Sequence, residues 1–98
     1  MTLVTLLQNA QSRLASVQVT YCLGSKDLGE YQIEQTFPNT LLLAPVDGCR
    51  SKIWIPNPTA LDPKFLCTIH DRPKLRLEIW EEPMIKVWEL EFNYEDIK

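Results

Sequence analysis

The chain has 98 residues, 45% apolar and 23% charged, with a net charge of −3, which bounds it to one globular domain, 1–98. Three Trp, three Tyr and three Phe exclude a disordered chain. No apolar stretch reaches the ~20 residues of a membrane-spanning helix, and the start, "MTLVTLLQNAQSRL", lacks the basic opening of a signal peptide.

The first element reads as a helix. Leu3, Leu6, Leu7, Ala10, Leu14 and Val17 recur at helical spacing, with Thr2 placed to cap the start. About four turns with one apolar stripe must lie on something, and a sheet of the same chain is the simplest support.

From Val17 the period changes to two. Val17, Val19, Tyr21 and Leu23 alternate with polar residues, as a half-buried strand does. "GSKDLG" reads as a loop. Tyr31, Ile33, Gln35 and Phe37 then share one face of a second strand, and Pro38-Asn39 makes a turn. "TLLLAPV" is a third strand, which Pro45 kinks or confines to an edge. Asp47-Gly48 predicts a two-residue type I′ turn joining it to "RSKIWIP".

"PNPTALDPK" is the one long irregular connection, the kind of segment that often carries function. Residues 62–70 are ambiguous. Asp62-Pro63 suits the start of a short helix, while β-branched Thr68 and Ile69 favour a strand, the reading adopted here. "KLRLEIWEEPMIKVWELEF" reads as two strands bent at Glu82-Pro83, with Trp88, Leu90, Phe92 and Tyr94 sharing a face. Short loops exclude parallel crossovers. The expected fold is therefore α+β: an N-terminal amphipathic helix packed on a curled, mainly antiparallel sheet of five to seven strands, a half-barrel or roll.

Charge is unevenly distributed. Residues 1–49 carry −2, residues 50–76 carry +4 and residues 77–98 carry −5. The basic middle and the acidic end are suited to pair within one molecule or between two. Six basic groups spread over 50–76 form no run, and the acidic end repels phosphates, so nucleic-acid binding through this segment is a second alternative only.

Catalytic signals are weak. "CTIH" places Cys67 and His70 three apart, which on a strand sends them to opposite faces and argues against a nucleophile–base pair or metal ligands. Neither a catalytic residue nor a metal or cofactor is expected. Cys22, Cys49 and Cys67 are odd in number without a close pair, unlike a secreted disulfide framework, so a cytoplasmic setting is expected.

Two tryptophans break the pattern. Trp80 falls on the side of Arg76 and Glu78, opposite Leu75, Leu77 and Ile79, and Trp54 falls with Lys52, opposite Ile53 and Ile55. Either charged stems cover the rings, or the rings line a partner-binding surface. The functional expectation is a small non-catalytic protein-interaction or regulatory module. It binds a protein partner, or itself as a homodimer, through an outer sheet face carrying Trp54, Trp80, Lys52, Arg76, Glu78 and Glu81. The alternative is a small-molecule-binding or enzymatic domain with a pocket between helix and sheet.

Overall fold

In the computed structural model, which describes residues 2–81 and 84–98, Thr2 caps the first helix. Its Oγ1 accepts the Thr5 N–H at 3.2 Å. The helix, α1, spans Leu3–Ser12, shorter than the apolar stripe implied. Its stop is a Schellman arrangement: Leu14 takes φ 53°, its N–H donates to Gln11 O, and the Ala15 N–H donates to Ala10 O at 2.9 Å. Leu14, expected on the apolar stripe, is thus 62% exposed beyond the helix end, and Val17 opens a strand.

The strands are β1 (Val17–Tyr21), β2 (Lys26–Thr36), β3 (Thr40–Pro45), β4 (Ile53–Pro56), β5 (Phe65–His70), β6 (Leu75–Glu81) and β7 (Ile85–Phe92). A four-residue helix, α2 (Tyr94–Ile97), follows. The seven strands form one sheet in the order β4-β3-β2-β1-β7-β6-β5, with antiparallel pairing throughout.

The curl follows from connectivity. β4 and β5 are consecutive in the chain but occupy opposite edges, joined only by residues 57–64. Fully extended, that link reaches about 28 Å. A flat seven-stranded sheet is already about 29 Å wide. The sheet bends into a half-barrel, which brings its two edges within reach of the link.

Val17, Val19, Ile33, Leu41, Leu43, Ile55, Leu75, Leu77, Leu90 and Phe92 form the concave core. Leu6, Leu7 and Ala10 of α1 seal it, together with Ile97 of α2, which is 0% exposed. Asn9 Nδ2 donates to Ile97 O at 2.8 Å and Arg13 Nη1 to Lys98 O at 2.6 Å, tying α2 to α1. Tyr94 belongs to α2 and does not extend the face of β7.

Among the described residues, strict alternation is broken at three bulges. The first lies between Val19 and Thr20, where Gly29 adopts φ +91°. "GSKDLG" is therefore mostly strand, since β2 already begins at Lys26. The second lies between Ile33 and Gln35. It leaves Glu34 extra and reverses the faces beyond it, so Thr36 turns inward to bond Gln11 at 2.7 Å. Gln35 and Phe37 leave the side of Tyr31 and Ile33, contrary to the simple alternation. The third lies between Ile79 and Trp80 and sets Lys86 opposite Trp80.

Asp47-Gly48 does lie in the β3–β4 hairpin, but the connection is longer than two residues, with Ile53 resuming the pairing opposite Leu43. Asp47 Oδ1 accepts the Cys49 N–H at 3.0 Å, an Asx turn, and Gly48 supplies φ +69°. Residues 65–70 are strand, as the β-branched pair favoured. The bend expected at Glu82-Pro83 lies outside the described residues.

The long connection is anchored by Asn57, which is 3% exposed. Its Nδ2 donates to Phe37 O at 2.9 Å, while its Oδ1 accepts the Thr59 N–H at 2.9 Å and the Thr59 hydroxyl at 2.7 Å. Asn57 N–H donates to Asn39 O, so the buried amide is satisfied on both sides.

Candidate interaction surface

The convex, outer side of the sheet carries the charged positions and all six residues singled out above except Glu81. Glu81 sits opposite Phe65 and Ile85, on the other side of β6 from Trp80. Arg76, Glu78 and Trp80 share the outer side of β6. Lys52 and Trp54 lie at the opposite edge, with β3, β2, β1 and β7 between. Five of the six residues therefore form two separate outer groups, and Glu81 belongs to neither.

In the β6 group, Glu78 is the hub. It is 8% exposed, with Oε1 2.8 Å from His70 Nε2 and Oε2 3.1 Å from Lys86 Nζ. Lys86 also donates to Glu89 at 3.3 Å. Arg76 Nε stands 3.6 Å from Glu89 and 3.9 Å from Glu78, close enough for charge pairing without a hydrogen bond. Burial raises the Glu78 pKa, but the hydrogen bonds from His70 and Lys86 outweigh it and hold the carboxyl below its ordinary value. The hydrogen bond to Glu78, helped by Glu89, outweighs burial and holds Lys86 above its own ordinary value.

Trp80 is half-buried beside this hub, with Lys86 Nζ 5.9 Å from its ring centroid. Its indole N–H is buried without an acceptor among the described residues. What stands over this ring is the ammonium end of Lys86.

Trp54 differs from Trp80 in being left open to solvent. It is 56% exposed, and its ring packs against Phe37 at 5.5 Å between centroids. The contact exists because the Glu34 bulge turns Phe37 to the outer side. Leu42 lies opposite Trp54 on β3, and Lys52 pairs with Glu34 at 2.8 Å nearby. The site is an aromatic pair on an aliphatic bed, edged by one ion pair. Sequence alternation could place Trp54 outward, but Phe37 was missed because nothing in the local pattern marks the bulge.

The basic middle and acidic end pair within the molecule. Lys74 meets Glu91 at 3.5 Å and Arg76 meets Glu89, because β6 and β7 are antiparallel neighbours. Arg50 and Lys52 lie towards the β4 edge, whereas Lys64, Arg72, Lys74 and Arg76 flank β5 and β6, so the basic segment does not form one stripe.

Cys67 faces the core while His70 faces outward to Glu78, so the two side chains do not meet. Burial pushes the Cys22 and Cys67 thiols above their ordinary value. Among the described residues, no three His, Cys, Asp or Glu side chains are grouped to hold a metal, and no helix is long and apolar enough to cross a membrane. A cleft of about 790 Å³ opens between the start of α1, the β5–β6 connection and α2, with Leu6, Ile69 and Leu75 among its apolar lining and Arg72, Asp96 and Lys98 among its charged groups.

Comparisons with protein-family models, with curated proteins and with solved structures found no match.

Proposed function

We propose that this chain is a non-catalytic protein-interaction module that engages a protein partner through the outer face of its sheet, centred on Trp54. The observation that carries this reading is the 56% exposed indole held against Phe37. An aromatic anchor whose orientation is already set loses little freedom on binding, and tryptophan is among the residues most enriched at binding hot spots. Lys52 and Glu34 supply a polar rim beside it. Three free cysteines support a reducing, cytoplasmic setting for this activity.

The test is affinity capture from the native host with the wild-type chain and with Trp54→Ala, each quantified by mass spectrometry. A partner recovered by the wild type and lost with Trp54→Ala, at an unchanged melting temperature, supports the reading. Equal recovery with both proteins overturns it.

A further inference from the structure

The two edges of the sheet differ in how well they are protected. β4 has four residues, ends in Pro56 and is followed by Pro58. A short edge closed by proline offers few free N–H groups to another strand. β5 has six residues, contains neither proline nor a Lys, Arg, Asp or Glu, and among the described residues pairs only with β6. Leu66 is 47% exposed on its outer side and Ile69 is 50% exposed on its inner side. An apolar edge of this kind is a template for an added strand.

We propose that β5 is the pairing edge of a homodimer, lying antiparallel to β5 of a second copy about a twofold axis at Cys67. Joining two antiparallel edges into one sheet requires the axis to stand perpendicular to the sheet. Inner residues then oppose inner residues and outer oppose outer, so the axis passes through a residue, not between two. The two positions nearest the middle of β5 are Cys67 and Thr68.

Charge decides between them. An axis at Thr68 sets Lys64 opposite Arg72 of the second copy, two like charges, and sets Asp62 opposite Lys74, which Glu91 already holds at 3.5 Å. An axis at Cys67 sets Phe65 opposite Ile69 and Leu66 opposite Thr68, and it brings Asp62 towards Arg72 at both ends. Lys64 then faces His70, which is already bonded to Glu78. Arg72 is suited to the role, since among the described residues it stacks over Tyr94 at 5.8 Å without a carboxylate partner. Pairing makes one continuous sheet, with a Trp54 surface at each far edge. This inference uses residues separate from the Trp54 reading and does not depend on it.

The register itself is testable. Directly opposed residues of an antiparallel pair have Cα atoms about 4.5–5.5 Å apart, within the range a disulfide spans. In a Cys22→Ser/Cys49→Ser protein, Cys67 is the remaining thiol. Diamide, which takes up the two thiol hydrogens, is expected to link Cys67 to Cys67 in alkaline buffer and give a dimer on a non-reducing gel. Light scattering of the untreated wild type is expected to give twice the 11.4 kDa chain mass. Leu66→Lys/Ile69→Lys, changed only at exposed positions, is expected to be a folded monomer that does not cross-link. Trp54→Ala is expected to cross-link like the parent, which separates this outcome from loss of the outer-face partner. A monomeric wild type, or a dimer that survives Leu66→Lys/Ile69→Lys or fails to cross-link at Cys67, overturns the proposal.

Discussion

His70 on β5 and Glu78 on β6 are joined across neighbouring strands, Nε2 to Oε1, at 2.8 Å. Neither lies opposite the other in the register: His70 faces Arg76, and Glu78 faces Thr68. The contact is diagonal, and with Lys86 from β7 it ties three strands through one nearly buried carboxylate.

That carboxylate makes stability depend on pH in a defined direction. Glu78 is held below its ordinary value of 4.5 in the folded chain. Its contribution is present above the unfolded value and is lost as pH falls through the folded one. Thermal melts of wild type and Glu78→Gln are expected to differ most near neutrality and to converge in acid below that window. A gap that stays constant into strong acid would show that charge is not what Glu78 contributes.

The two tryptophans should separate in stability experiments. Trp80 is half-buried beside Glu78 and Lys86, so Trp80→Ala is expected to cost roughly 2 kcal/mol, less than a fully buried ring. Trp54→Ala removes a mostly exposed ring and should cost under about 1 kcal/mol. Urea unfolding of both variants distinguishes them; equal midpoints would contradict the burial difference.

Asn57 should behave as a structural anchor. Truncation to Ala strips the donor from Phe37 O and the acceptor from both Thr59 groups. The expected loss is about 2 kcal/mol. For a domain of this size that is a fall in melting temperature on the order of 10 °C. Calorimetry on Asn57→Ala reads it directly, and a fall of only a degree or two would remove the anchoring role.

Leu14 offers the opposite sign. It occupies the left-handed region at φ 53° while 62% exposed, so its side chain gives little burial in return for strain. Leu14→Gly is expected to stabilise by about 0.5–1 kcal/mol, seen as a higher urea midpoint. A lower midpoint would mean that Leu14 packs more usefully than its exposure indicates.

What local chemistry could settle, it settled in the sequence. Helical spacing at Leu3, Leu6, Leu7 and Ala10 marked α1, and alternation at Val17–Val19, Leu75–Leu77 and Leu90–Phe92 marked the core side of the strands. Short connections required antiparallel pairing, which needs no knowledge of distant residues. The bulges at Glu34 and opposite Ile79 were not legible, because a bulge arises from the match between two strands and leaves little trace in either alone. For the same reason, Phe37 joined Trp54 and Lys86 joined Trp80 only once the strands were set side by side. Strand order decided the remainder: it placed Trp54 and Trp80 near opposite edges, gathered His70, Arg76 and Lys86 around Glu78, and left β5 with one open side. Those outcomes depend on which segments meet in space, and that is fixed by burying one shared core beneath α1.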